Sequence, residues 1–327
     1  MTAAPPSALV LAAGLGTRLR PLTLVRAKPA APVAGTPLVL RILRWLRTHG
    51  VGQVVVNLHH RPETITRIVG DGRALGLEVR YSWEQPILGS AGGPRRALPL
   101  LDADPFLVVN GDTLTDADLG ALAAEHARTG ALVTLAVVAN PDPSKYGGVR
   151  VGSGGVVEGF TRAGDRTPAF HFIGVQVAGK DAFAGLEDGR PANSVTGVYQ
   201  RLVTERRGAL RAWITDASFR DIGTVADYLA TSLALAREEG TGARLVGARS
   251  IVAPDATVVR SVLWDDVHVG ARCVLEDTVV ADGVTLPTGL RLRGCAVVPA
   301  TAVPPGPGDR LAGGALVCPF AHEGARV

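Results

Sequence analysis

Through the first half of the chain, short apolar runs alternate with segments whose apolar positions recur every three or four residues. Residues 7–13 (SALVLAA), 51–58, 77–81, 106–110 (FLVVN) and 131–139 are runs of strand length, bounded by glycine, proline or polar residues. Between them, residues 37–49 set Leu38, Ile42, Trp45 and Leu46 on one helical face, with Pro37 at the start and Gly50 at the stop. Residues 62–69, 94–100 and 116–129 read as further helices. This alternation predicts an α/β fold: a Rossmann-like, mostly parallel sheet flanked by helices on both faces. Ligands of such sheets gather outside the carboxyl ends of the strands, where the loop 14–20 and Asp112 fall.

The texture changes after Pro143. Residues 146–160 are glycine-rich and alternating, which predicts a hairpin, followed by strands at 170–178, 210–214 and 219–222 and an amphipathic helix over 225–239. From about residue 243, Ile251, Thr257, Val267, Cys273, Val279, Val284, Leu290 and Ala296 recur at a spacing of about six, with slips near Ser261 and Asp282. Such a hexapeptide period predicts a short left-handed parallel β-helix, the alternative being a set of irregular short strands. Residues 304–327 read as a loosely packed tail. The expected division is a domain over 1–240 and a repeat domain with its tail over 241–327.

A composition of 46% hydrophobic and 20% charged residues excludes a disordered chain. The net charge of +4 comes from 34 basic and 30 acidic groups with no dense basic run, so no nucleic-acid partner is expected. No apolar run is long enough to span a bilayer, and no membrane partner is expected. Cys273, Cys295 and Cys318 form neither a disulfide framework nor a metal motif, which fits a reduced, cytoplasmic setting.

Candidate chemistry concentrates in LAAGLGTRLRPLTLVRAK, residues 11–28. A glycine-rich turn after a buried strand lets backbone amides approach phosphates, and Arg18 and Lys28 add cations. Lys28 is one of only three lysines. The spacing is not the dinucleotide fingerprint, because Leu19 stands at the third glycine position, and no Gly-Lys-Ser/Thr follows for a P-loop. Asp112 in Asn110-Gly111-Asp112 and Asp221 in Asp221-Ile222-Gly223-Thr224 are two carboxylates without a thiolate or imidazole nearby in sequence. Alone, each suits a turn or a cap; as a pair they suit a hard cation such as Mg²⁺. His59, His60, His171 and His268 read as loop or packing residues, and no nucleophile–base pairing is visible.

The run LAAGLGTRLRPLT, followed by Lys28-Pro29, resembles the signature of the sugar-1-phosphate nucleotidyltransferases, and the resemblance extends from Ala8 to about Ala236. It implies the nucleotide-diphospho-sugar transferase fold and transfer of a nucleotidyl group from a nucleoside triphosphate to a sugar 1-phosphate. By that resemblance Leu11, Ala12, Ala13, Gly14, Leu15, Gly16, Thr17 and Arg18 wrap the triphosphate, and Arg18, Lys28 and Asp112 are catalytic. Asp112 and Asp221 hold Mg²⁺. Residues 84–93 (EQPILGSAGG) are similar to the segment that closes over the base, bringing in Glu84, Gly89 and Gly92. An ionised Glu84 accepts hydrogen bonds only, which suits guanine N1–H and N2–H₂ and, with one donor, uracil N3–H; a solvated loop carboxylate is the alternative. On the sugar side the resemblance brings in Gly148, Glu158, Arg162 and Gly174. There the family's Phe-x-Glu-Lys-Pro becomes Phe160-Thr161-Arg162-Ala163-Gly164, so its lysine is absent.

The base segment and the repeat resemble the mannose-1-phosphate guanylyltransferase branch. Phe172-Ile173-Gly174 resembles the N-acetylmuramate-1-phosphate uridylyltransferases. GTP with mannose 1-phosphate is the expected pair, with uridylyl transfer as the alternative. A catalytically silent, nucleotide-sugar-binding regulatory subunit is the alternative of another class, disfavoured because Arg18, Lys28, Asp112 and Asp221 are all kept. The repeat, too short for an acyltransferase, is expected to serve oligomerisation or regulation, giving a possible homo-oligomer.

Overall fold

The computed structural model describes residues 6–241 and 245–320. The chain forms two compact units, each built from two stretches: Met1–Gly14 with Val39–Arg220, and Leu15–Leu38 with Asp221–Val327.

The first unit is organised by a nine-stranded sheet. Its strands are β1 (Ser7–Leu11), β2 (Gln53–Leu58), β3 (Glu78–Trp83), β4 (Phe106–Asn110), β5 (Val133–Ala139), β6 (Gly148–Val151), β7 (Val157–Thr161), β8 (Phe170–Ala178) and β9 (Leu210–Ile214). Strands β4, β1, β2 and β3 run parallel, in that order. The antiparallel strand β8 pairs with both β4 and β5, β9 runs parallel to β5, and β6–β7 is the expected hairpin. Leu9, Val55, Phe106, Val108, Val133 and Leu135 are buried in one core, which explains why these strands read as unbroken apolar runs.

Register fixes what meets at the carboxyl edge. Leu11, the last residue of β1, pairs with Asn57 on one side and Asn110 on the other. Trp83, the last of β3, pairs with Leu58, so Glu84 follows directly beyond that edge. The helix expected over 94–100 is displaced: it runs over Gly89–Ala97 with Pro94 inside it, followed by a 3₁₀ turn, Leu98–Leu100. Its start lacks a local side-chain cap. The Ala91 and Gly92 amides instead donate to the carbonyl of Ala192, a remote cap that no neighbouring residue announces.

In the second unit, Leu15–Leu38 forms three short 3₁₀ turns and the small pairing of Pro32–Val33 with Thr36–Pro37. Helix Val225–Glu238 carries a capping box between Thr224 and Asp227. Beyond it, short strands pair in parallel at a constant offset of 17: Ile251 with His268, Thr257 with Val274, His268 with Thr285, Val274 with Arg291. Left-handed backbone recurs at the same interval, at Arg249, Asp266 and Gly283 and again at Arg260, Asp277 and Gly294. Leu263, Val280 and Val297 stack inside the coils. The arrangement is compatible with a β-helix, with one residue fewer per coil than three hexapeptides. The expected loose tail is corrected over its described part. Arg310–Ala312 and Ala315–Pro319 form a hairpin that pairs antiparallel with Arg291–Pro299 and buries Leu316 and Val317; residues 321–327 lie outside the described residues. The continuous apolar run Ala315–Cys318, buried throughout between the prolines and glycines, accounts for it.

Candidate active site

At the end of β1 the backbone amides of Ala12 and Ala13 are held by one side chain: Asn57 Oδ1 accepts from Ala12 N at 2.6 Å and from Ala13 N at 3.3 Å. The other end of that amide donates to Glu84 Oε1 at 2.6 Å, and Glu84 Oε2 accepts from the Leu88 amide at 2.7 Å. Glu84 is therefore buried, 4% exposed, and is not a solvated loop carboxylate. Burial pushes its carboxyl above the usual range, and the Leu88 amide and Asn57 pull it back. Gly93 makes room for this network, since a Cβ there would stand 2.6 Å from Glu84 Oε1 and 2.7 Å from Asn57 Nδ2. Gly92 and Gly89 face residues 190–192 just as closely: added Cβ atoms would meet Arg190 O at 2.6 Å and Ala192 O at 2.8 Å.

Gly111 lies against β1, its amide donating to Leu11 O at 2.8 Å, which puts Asp112 beside the start of the glycine loop. The opposite strand brings Gly174 to the same motif. Gly174 has a φ of +77°, at the irregularity in β8, and a Cβ there would lie 2.5 Å from Thr113 Oγ1 and 2.6 Å from Asn110 Nδ2. Thr113 Oγ1 donates to Ile173 O at 3.0 Å. Gly148 packs against Ala169, whereas Glu158 is exposed with its carboxylate over Gly152, and Arg162 is exposed on the β7–β8 connection. The structure thus joins Gly174 to the Asn110–Thr113 motif and leaves Glu158 and Arg162 on the hairpin surface. His171 packs between Tyr146 and Phe219, with ring centroids at 4.5 Å and 4.7 Å.

In the second unit, Gly14's successors Leu15, Thr17 and Arg18 are exposed, and Gly16 turns the chain with a φ of +59°. Thr23 Oγ1 donates to Gly16 O at 3.0 Å, and a Cβ on Gly16 would sit 2.7 Å from Thr23 Cγ2. Lys28 is only 8% exposed. Gly223 separates Arg18 from Asp221: a Cβ there would stand 2.9 Å from Arg18 Nη1 and 3.0 Å from Asp221 Oδ2. Asp112 in the first unit and Asp221 in the second each offer only carboxylate oxygen, the donor chemistry that suits a hard divalent ion. Among the described residues no group of three or more His, Cys, Asp or Glu is arranged to hold a metal.

Asn57 and Thr23 are the residues the sequence reading passed over. Asn57 had a signal, a lone amide closing the apolar run Val54-Val55-Val56 at a strand end.

A glycine turn after β1, paired asparagines at the carboxyl edge and a carboxylate following Gly111 mark an α/β protein whose polar groups gather at the carboxyl ends of its parallel strands. The chain belongs to the nucleotidyl transferase family, whose model matches residues 7–238. It is 30% identical to a mannose-1-phosphate guanylyltransferase of Mycobacterium tuberculosis over 292 residues, 86% of this chain and 81% of that one. An N-acetylmuramate α-1-phosphate uridylyltransferase of Neisseria meningitidis is 47% identical over 115 residues, covering 35% of this chain and 50% of the relative. The crystal structure of HddC from Yersinia pseudotuberculosis shares the fold, with a TM-score of 0.62 over 70% of this chain and 99% of that one at 22% identity. No helix among the described residues is long and apolar enough to cross a membrane.

Proposed function

We propose that this nucleotidyltransferase joins GTP to mannose 1-phosphate, releasing pyrophosphate and GDP-mannose. One observation carries the choice of substrates. Similarity to the mycobacterial guanylyltransferase covers 86% of the chain, more than residues 7–238 provide, so it reaches into the 17-residue coils.

A phosphate oxygen of the sugar 1-phosphate attacks the α-phosphorus. A phosphorus–oxygen bond forms there as the α–β anhydride bond breaks and pyrophosphate leaves. Such transfer needs placement and charge neutralisation rather than a protein nucleophile. The loop 11–18 contributes amides, with Asn57 anchoring its start by accepting those of Ala12 and Ala13. Arg18 and the largely buried Lys28 oppose the charge that develops on the phosphates, and burial strengthens an ammonium's field. Mg²⁺ on Asp112 and Asp221 would supply further charge neutralisation. Glu84, through its hold on Leu88 and Asn57, keeps the base segment in register with the glycine loop. Gly174, held against the Asn110–Thr113 motif, serves the sugar phosphate, while Glu158 and Arg162 stay on the hairpin surface with Gly148 at the hairpin's start.

Uridylyl transfer to N-acetylmuramate 1-phosphate is the second reading, favoured by the 47% identity over 115 residues to the neisserial enzyme. The test is pyrophosphate release with Mg²⁺ across GTP, UTP, dTTP, ATP and CTP. Each is paired with the 1-phosphates of mannose, glucose, N-acetylglucosamine and N-acetylmuramate. Preference for GTP with mannose 1-phosphate is the expected outcome, and preference for UTP would install the second reading. Silence throughout, with nucleotide still bound, would replace both by a regulatory subunit.

A further inference from the structure

Arg26, which the reaction above does not use, sits two residues before Lys28 and engages two carboxylates of its unit while largely buried. Its Nε donates to Asp282 Oδ2 at 2.5 Å, and its Nη2 donates to Asp282 Oδ1 at 2.7 Å and to Asp265 Oδ2 at 2.6 Å. Its side chain is 15% exposed, and Cζ stands 5.5 Å from the centroid of the Trp264 ring. Trp264 is fully buried and donates through Nε1 to Tyr228 Oη at 2.8 Å. That hydroxyl donates in turn to Pro32 O. The segment carrying Lys28 is therefore held on both sides, at Arg26 and at Pro32, by the coils and by helix Val225–Glu238.

The cradle follows from the coil repeat. Asp265 and Asp282 are 17 residues apart and occupy equivalent places on successive coils. Each aspartate accepts the backbone amide of the coil before it, Ala248 N to Asp265 Oδ1 at 2.8 Å and Asp265 N to Asp282 Oδ1 at 3.0 Å. The second oxygens of both turn toward the guanidinium. At the preceding place stands Ala248, so the acidic ladder has two rungs, both engaged by Arg26. Arginine's planar fork reads such a pair of carboxylates directionally, which a lysine ammonium does not.

We propose that Arg26 is a positioning residue for the triphosphate loop, and that the coils serve the reaction by fixing Lys28 through the Asp265–Asp282 cradle. The coils are then part of the nucleotide-binding apparatus rather than an appended module. The inference rests on the proposed nucleotidyl transfer for its kinetic readout, and on nucleotide binding independently of it.

The experiment uses the full chain with Arg26→Gln, Arg26→Lys and Asp282→Asn, and with Arg249→Gln as control. Arg249 pairs with Asp266 on the same coils at 2.6 Å but is exposed and touches no part of the loop. GTP and UTP affinities are measured by equilibrium dialysis, and KM for each substrate and kcat by pyrophosphate release. Arg26→Gln is expected to weaken nucleotide binding and raise its KM about tenfold or more, leaving KM for the sugar 1-phosphate within about twofold. Arg26→Lys should recover part of the loss, Asp282→Asn should resemble Arg26→Gln, and Arg249→Gln should behave as wild type. Folded Arg26→Gln with unchanged nucleotide affinity, or equal weakening for both substrates, would overturn the proposal. If Arg26→Gln does not fold, unchanged affinity in folded Asp282→Asn overturns it in the same way. A wild-type chain that binds nucleotide without turnover would defeat the proposed activity alone, and the dialysis comparison would still decide the role of Arg26.

Discussion

The Asn57–Glu84 pair makes a sharp test of how the glycine loop is aligned. Asn57→Asp keeps the shape and keeps Oδ1 as the acceptor for Ala12 N and Ala13 N, but replaces the donor Nδ2 by an oxygen 2.6 Å from Glu84 Oε1. Two ionised carboxylates at that separation repel by about 6 kcal/mol at an effective dielectric of about 20. The pair escapes by keeping one proton between the oxygens, which also restores a hydrogen bond. Holding a carboxyl protonated at pH 8, about four pH units above its ordinary value, costs roughly 5 kcal/mol. Burial already pushes the Glu84 carboxyl up, so the added carboxylate acts on a site that resists charge.

The sign follows from linkage. The folded pair binds its proton more tightly than the unfolded chain does. Stability is therefore complete below the ordinary carboxylate range and is lost as pH rises through the folded pair's titration. Asn57→Asp should unfold about 10–20 °C below wild type at pH 8, at roughly 2–4 °C per kcal/mol for a chain of this size. Near pH 5 the gap should close to a few degrees. Calorimetric Tm of both proteins from pH 5 to 8 checks this. A deficit independent of pH would refute the reasoning, because it would mean that Asn57 matters only as packing. KM for GTP should follow Tm, rising at pH 8 as repulsion from Glu84 displaces the acceptor that aligns the loop amides.

Three further outcomes follow from the glycines and a buried histidine. Gly16→Ala forces a Cβ into a residue at φ +59°, 2.7 Å from Thr23 Cγ2. It should lose about 1–3 kcal/mol in a denaturant titration and raise KM for the nucleotide more than for the sugar. Gly174→Ala, at φ +77° and 2.5 Å from Thr113 Oγ1, should do the reverse, raising KM for the sugar 1-phosphate about tenfold in steady-state kinetics. His126 is buried beside Thr134 Oγ1 at 2.9 Å, and desolvation lowers its pKa. Folded His126 takes up a proton less readily than the unfolded chain does, so its contribution is present above the ordinary histidine range and is lost as pH falls through its lowered folded value, by up to about 1.4 kcal/mol per pH unit. His126→Gln should flatten that part of the Tm profile between pH 7 and 5.

What the sequence disclosed and what it withheld divide along the range of the interactions. The parallel strands were legible because burial on both faces forces unbroken apolar runs, and the glycine loop because its composition is local. Gly174 could be named as a site residue, yet its reason for being glycine, the approach of Asn110 and Thr113 from β4 and its loop, is a contact across some 60 residues. The helix at Gly89 was misplaced for the same cause: its first amides are capped by Ala192, roughly 100 positions away. Glu84 read as an open choice between a base contact and a solvated carboxylate. The register of β2 with β3 excludes the solvated alternative by carrying Asn57 to it.

The repeat shows how a small error in period hides chemistry. A spacing of six predicts coils of 18, and on that count Asp265 and Asp282 fall out of step; Asp282 then reads as a slip in the pattern. The strands pair at 17, which makes those aspartates equivalent and brings two carboxylates within reach of one guanidinium. Left-handed corners at 249, 266 and 283 keep the same count, so the register is set by backbone as well as by side chains. A one-residue insertion between Asp265 and Asp282 should break the amide ladder and the Arg26 cradle together while leaving β1 and its neighbours intact. Measured nucleotide affinity should fall as in Arg26→Gln. A folded insertion variant with wild-type affinity would show that the 17-residue register serves only the coils themselves.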